Sequence, residues 1–416
     1  MNFKSITEWA ELAAEDPVAW KSAITQAIGT CIGNTDTAVV SHDLSEQTFV
    51  GNGPLAGVPY VAKELFDVKG FPSHSSSVLP VVTELKATKH SAIVERMQTL
   101  GGSCVAKTQM NEFAYGLSGE NPHYGNCPHP SLSGCLTGGS SSGSAHMVAA
   151  GYVPIGLGTD TGGSIRLPAA WCGLYGLRTV PEYYMDGCFP LAPSFDTVGW
   201  FTRTAEDLSI VLRAWFESND GEIINGPLKG SAVLSEALVD TDVYKRLSEV
   251  TGSLALKAPE ETAALEAMMP DCNQAFNILQ SGEAYAIHRE WLQSYGDLYD
   301  PAVKARILRG ANWSSDEVEW ALRKRSEVFA WFESYFENYD YLVMPICPRA
   351  SVKLADATPD LREKTLRLTG PASLAQKPAL TIPVTLLGNQ TVGLQFIFKQ
   401  LDAAVPLELL KLCANI

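Results

Sequence analysis

Short apolar runs and stretches of helical spacing alternate along the first half of this chain. Residues 5–29 set Trp9, Leu12, Ala13, Trp20, Ile24 and Ile28 at helical spacing. Pro17 has no amide donor and divides the segment into two short helices. Residues 54–68 are densely apolar, with Pro54 and Pro59 near the starts of the halves, which predicts a hairpin or paired strands. SAIVERMQTL (91–100) predicts a helix that stops at Gly101-Gly102, and SCVAKT (103–108) a short buried strand. GSAHMVAAG (143–151) reads as a helix of small residues closed by Gly151, and VPIGLGTD (153–160) as the buried strand after it. Strand, helix, strand in this order points to a parallel or mixed sheet.

From about 205 to 340 helical spacing takes over, in Ala205–Trp215, Glu260–Met269, Gly282–Tyr295 and Asp316–Tyr335. Ser314 and Glu317 have the spacing of a capping box at the start of the last of these. Buried strands return at 339–347, 378–386 and 392–398, and VPLELLKLCANI predicts a terminal helix. No repeat, low-complexity tract or Pro/Gly-rich linker interrupts the chain. The fold class is α/β: one domain over residues 1–416, with a helical middle at about 215–340 and C-terminal strands and helix at 339–416.

Composition narrows the functional classes. The 416 residues are 46% hydrophobic and 19% charged, an ordinary globular balance with room for a large core. A formal charge of −15 leaves no electrostatic footprint for nucleic acid or an anionic membrane, although the potential at one site can differ in sign from the total. Acids stand in the first twenty residues where a signal peptide needs an apolar core, and no run of eighteen uncharged apolar residues occurs. The nine scattered cysteines form no CxxC pair and are expected to be reduced thiols of a cytoplasmic protein. The Asn312-Trp313-Ser314 sequon then carries no meaning.

The chemistry concentrates in Gly138 to Gly173. Two Gly-Gly-Ser corners place Ser164 24 positions after Ser140. Upstream, Lys63 sits in the apolar run GPLAGVPYVAKELFDV, where burial would disfavour its charged form. Two serines on glycine corners and a buried lysine are the parts of a Ser-Ser-Lys hydrolase. A serine hydroxyl needs a base to take its proton, and none of the seven histidines stands in a recognisable triad motif. In TDTGGS, consecutive small residues can turn the N–H groups of Thr161, Gly162, Gly163 and Ser164 inward as an oxyanion hole. Two other motifs compete. Gly139-Ser-Ser-Ser-Gly143 fits a nucleophile elbow, but a polar loop precedes it where an elbow needs a strand. Gly51-Asn-Gly53-Pro-Leu-Ala56 fits a loose dinucleotide fingerprint that Pro54 interrupts. No Walker A lysine motif or metal-ligand cluster is present.

These residues resemble the amidase signature family. The lysine motif GPLAGVPYVAKELFDVKG, the block TQMNEFAYGLSGENPHYGN, the signature TGGSSSGSAHMVAAGYVPIGLGTDTGGSIRLPAAWCGLYGLR and the segment SFDTVGWFTRTAEDL all carry the likeness, densely from about 50 to 210. The resemblance implies a central mixed β-sheet covered by helices on both faces. It also implies a hydrolase that cleaves a carboxamide C–N bond through a Ser acyl-enzyme, without metal or cofactor. Ser164 matches the nucleophile, Ser140 the bridging serine after a cis peptide bond, and Lys63 the base. Asp160 and Arg166 match positions that brace the nucleophile loop, and Ser141 would hold that loop by hydrogen bonds. Tyr115, His123, Trp171 and Cys172 are expected to line the substrate pocket.

The chain departs from the family pattern at Lys63-Glu64, where many members have Lys-Asp, and at Ser373-Leu-Ala-Gln376, where many have Asn-Leu-x-Gly. Residues 220–335 match nothing that can be placed. The closest flavour is the indole-3-acetamide hydrolase type, with a small-molecule amide as substrate and a homodimer compatible with the family. The alternatives are a glutaminase-type subunit of an amidotransferase complex and, more remotely, an inactive scaffold protein.

Overall fold

A computed structural model describes residues 3–35, 37–42, 52–217, 226–254 and 259–414. Its strands are β1 (Val39–Ser41), β2 (Pro59–Lys63), β3 (Ser103–Thr108), β4 (Ile155–Thr159), β5 (Tyr175–Arg178), β6 (Val198–Thr202), β7 (Gly230–Ala232), β8 (Tyr341–Pro345), β9 (Ala379–Leu387) and β10 (Gln390–Phe398). They form one mixed ten-stranded sheet in the order β1-β3-β2-β4-β6-β5-β9-β10-β8-β7. β2 lies between β3 and β4 and is parallel to both. β4 then pairs antiparallel with β6.

All five residues of β2 are buried, as a strand covered on both faces requires. Tyr60 and Ala62 pack with Ile93, Val94 and Met97 of the helix Ala92–Thr99 on one face. Val61 packs with Trp9, Trp20 and Ala145 on the other. The helices Ile6–Glu15, Pro17–Thr35 and Ser142–Ala149 cover that second face. Gly143 lets the helix Ser142–Ala149 approach: a Cβ there would collide with the carbonyl of Ala38 and the amide of Gln109.

The capping box at Ser314 forms in full, with Glu317 bonded back to the Ser314 amide and hydroxyl. Pro17 does separate two helices. Two expectations fail. Residues 54–68 are not a hairpin: only Pro59–Lys63 is a strand, because β3 and β4 occupy both of its edges and leave nothing for a local partner. The segment before it turns instead, with Leu55 donating to the Leu100 carbonyl. The two helices expected at 260–269 and 282–295 are one, Pro259–Tyr295, running through Pro270. It packs along the helices Pro301–Arg309, Ser315–Tyr335 and Pro359–Leu374. That long packing supplies what the missing proline donor removes. The short strands β1, β5, β6 and β7 are additions that no strong local apolar pattern announced.

Candidate active site

β2 ends on Lys63, which has no solvent exposure. Its Nζ donates to Ser140 Oγ at 2.7 Å and to Thr159 Oγ1 at 2.8 Å, and no carboxylate touches it. Burial pulls the ammonium down to about 7, against weaker opposing pulls from Asp160 and Asp196. A lysine so placed holds or loses a proton near neutrality.

The peptide bond Gly139-Ser140 is cis. Gly139 donates to the Leu117 carbonyl at 2.8 Å, and the Ser140 carbonyl accepts from the Asn111 amide at 3.2 Å. Ser141 Oγ donates to the Thr159 carbonyl at 3.1 Å and accepts from the Thr159 amide at 3.3 Å. Ser141 is therefore a staple between its loop and the end of β4, and the nucleophile-elbow reading of this serine falls. Its own amide reaches the Ser164 carbonyl at 3.4 Å, so the two Gly-Gly-Ser corners touch. The competing dinucleotide fingerprint begins at Gly51, outside the described residues, and Leu55 and Ala56 lie in a turn rather than a helix.

Asp160 organises the second corner. Its carboxylate accepts from the amides of Gly163, Ile165 and Arg166, from Arg166 Nε and Nη2, and from Arg178 Nη1, all within 3.2 Å. Against the penalty of burial, the Arg166 and Arg178 guanidiniums hold this carboxyl well below the usual range. Arg166 and Arg178 also both donate to Ser373 Oγ, at 2.9 and 2.7 Å. Thr161 Oγ1 donates to Asp196 at 2.6 Å, and Asp196 in turn receives the amides of Leu191 and Ala192.

Of the expected oxyanion donors, Gly163 is engaged: its N–H goes to Asp160 at 2.8 Å because the carboxylate sits under the corner. The N–H groups of Thr161, Gly162 and Ser164 have no acceptor among the described residues. Ser164 is 3% exposed, and its hydroxyl makes no hydrogen bond among the described residues. The structure thus joins Lys63 to Ser140 by side chains, and Ser140's loop to Ser164 through the backbone.

A cavity of about 460 Å³ lies against both corners. Its wall includes Leu117 and Ser118, whose carbonyls hold Gly139 and Gly138, and Leu167, whose amide donates to the Gly163 carbonyl at 2.7 Å. Trp171 lines this cavity as expected. The other three expected pocket residues do not. Tyr115 lies behind the wall, its carbonyl accepting from Arg306 Nη1 at 2.6 Å. His123 turns to the buried Glu112, 3.2 Å away, which also receives Ser77 Oγ and the Asp300 amide. Burial pushes the Glu112 carboxyl up to about 7. The Cys172 thiol lies against the Thr137 carbonyl and packs at the second core. In each case a nearer polar or apolar partner than the cavity takes the side chain.

Sequence reasoning missed Thr159, Arg178, Asp196 and Ser373. Thr159 stood beside Asp160 at a strand end, where its outward hydroxyl could have been suspected. Arg178 ends an otherwise apolar strand, the one available signal of a buried charge. Asp196 and Ser373 gave none, since only folding brings them near.

The amidase family model matches residues 41–242 and 258–404. The chain is 31% identical over 397 residues to the glutaminyl-tRNA-forming relative from Geobacillus kaustophilus, the A component of glutamyl-tRNA(Gln) amidotransferase, covering 84% of this chain and 81% of the relative. It is 27% identical over 380 residues to amidase 1 of Oryza sativa subsp. japonica, covering 83% and 87% of the two chains. A solved amidase structure superposes with a TM-score of 0.83 at 24% identity, over 98% of each chain.

Proposed function

Because the chain belongs to the amidase family, and so is a hydrolase of amide C–N bonds, we propose that it works through an acyl-enzyme on Ser164, with Lys63 as base and Ser140 as relay. The observation that carries this reading is the buried Lys63 Nζ, 2.7 Å from Ser140 Oγ and without a carboxylate partner. Neutral Lys63 accepts the Ser140 proton while Ser140 accepts that of Ser164, and Ser164 Oγ bonds to the amide carbonyl carbon. The free N–H groups of Thr161, Gly162 and Ser164 face the oxygen that becomes negative. Each such donor contributes about 3 kcal/mol to lowering the barrier. Collapse breaks the C–N bond, and the proton returns through Ser140 to the departing nitrogen. Water then attacks the ester along the same relay and releases the acid.

Asp160, Arg166 and Ser141 hold the corners rather than react. The nine free thiols support placement in the cytoplasm. A fluorophosphonate probe tests the reading: it labels Ser164, by peptide mass spectrometry, and fails to label Ser164→Ala. Full amidase activity in Ser164→Ala or Lys63→Ala removes the assignment. The likeness to an amidotransferase component supports a second reading, ammonia release from glutamine to a partner protein. Glutaminase activity that appears only in a co-purified complex would favour it; hydrolysis by the isolated chain favours the first.

A further inference from the structure

The cavity beside the two corners is cationic in an acidic protein. Three arginines line it, Arg306 and Arg309 from the helix Pro301–Arg309 and Arg362 from the helix Pro359–Leu374. Two acids share the wall, and both are committed elsewhere. Glu363 pairs with Arg367 at 2.7 Å, and Glu120 accepts from the Ser118 hydroxyl. Arg306 spends one Nη on the Tyr115 carbonyl. The Arg309 and Arg362 side chains make no hydrogen bond or ion pair among the described residues, and Arg362 Nε is buried without a partner. Arg362 is crowded: burial, with Arg306 beside it and Arg309 near, pulls it down to about 10, which leaves it charged at neutral pH.

Like charges gathered in a partly buried cavity without acids to answer them are costly unless an anion arrives. A guanidinium presents a planar fork of donors that matches a carboxylate. The rest of the wall is apolar, with Leu117, Leu167 and Trp171 between the arginines and the corners. We propose that this cavity takes the anionic end of a carboxylate-bearing amide, with Arg362 and Arg306 binding the carboxylate while the amide carbonyl reaches Ser164. This rests on the amidase reading above and names its substrate class.

The test compares hydrolysis of malonamic, succinamic and glutaramic acids with that of propanamide, butanamide and pentanamide, each pair matched in carbon number. At least one acid exceeds its neutral partner in kcat/KM by about tenfold or more, the scale of one charge-assisted hydrogen bond. Arg362→Met and Arg306→Met each collapse that ratio, a readout independent of how much enzyme folds. With the wild-type enzyme, the matching dicarboxylate inhibits turnover competitively. Neutral amides equal to or better than the acids, or no inhibition by dicarboxylate, overturn the inference and leave the amidase standing. Failure of the fluorophosphonate to label Ser164 overturns the reading beneath it instead.

Discussion

Lys63 and Lys107 stand on neighbouring strands, both without solvent exposure, and the register sets them on opposite faces of the sheet. Lys63 lies across from Thr108, and Lys107 across from Ala62. Burial lowers both, Lys63 to about 7 and Lys107 to about 8. Their partners differ. Lys63 donates to two hydroxyls, one of them on the cis-bonded corner. Lys107 donates to the Pro72 carbonyl at 2.9 Å and Ser73 Oγ at 3.3 Å, and the nearby charge of Glu64 opposes its burial. Glu64 itself is held by the amide and hydroxyl of Ser76. A buried lysine is common to both faces; a hydroxyl that leads onward to a nucleophile is found on one. Desolvation makes an amine able to lose its proton, and neighbours decide whether that loss does anything.

The sharpest break of this comparison is substitution of the two amines. Lys63→Met should lower kcat/KM by about 10⁴-fold or more, as removal of a proton-relay member does elsewhere. Its thermal midpoint should hold, since a methionine fills the same buried space without a charge to desolvate. Lys107→Met should keep kcat/KM within about tenfold but lose stability, on the order of 3 kcal/mol, because Glu64 then stays buried without a counter-charge. Calorimetry and steady-state kinetics on the same preparations decide it. Equal kinetic losses in both variants would erase the distinction drawn between the faces.

A second pair contrasts the two carboxylates that pull on Lys63. Asp160→Asn leaves Arg166 and Arg178 without their shared acceptor and should destabilise by about 3–5 kcal/mol. Asp196 is raised by its own burial, so it tolerates neutrality, and Asp196→Asn should destabilise by only about 1 kcal/mol. Urea unfolding separates the two; equal midpoints would contradict the difference in their surroundings.

Activity against pH is the third measure. Only neutral Lys63 accepts a proton, and its folded value is about 7, so kcat/KM should fall about tenfold per pH unit below 7 and level off above it. The Asp196 charge favours protonated Lys63, so Asp196→Asn should move the inflection toward acid. A flat profile between pH 5 and 8 would exclude Lys63 as the base.

The smallest effect concerns Glu112, a buried carboxylate on the far side of the pocket wall. Its folded value is about 7 against an ordinary 4.5, so the folded state binds more protons than the unfolded chain in that interval. Its contribution to stability is present at the acid end and is lost as pH rises through 7. Glu112→Gln should flatten that slope in thermal melts taken between pH 4.5 and 7.5. An unchanged slope would show that another group sets it.

Much of the catalytic floor is legible along the chain alone. The Gly-Gly-Ser corners and the apolar run around Lys63 are local patterns, and turn chemistry and strand burial act over a few residues. The helix at 143–151 and the strand at 153–160 follow from the same short-range spacing. The cavity is much less legible. His123 and Cys172 stand close in sequence to the signature, yet they find Glu112 and the Thr137 carbonyl. The arginines of the cavity sit in helices that read only as amphipathic.

By itself, then, the sequence determined the chemical parts: a lysine too apolar in setting to stay charged, two serines on flexible corners, and an acid and arginine six residues apart. Folding decided which parts meet. Arg166 reaches Gln395 across 229 positions and Ser373 across 207, and Arg178 reaches the same serine across 195. Such meetings depend on how strands order themselves and helices stack, the sum of many weak contacts distant along the chain. No local spacing encodes that sum, whereas a turn or a buried strand is encoded where it stands.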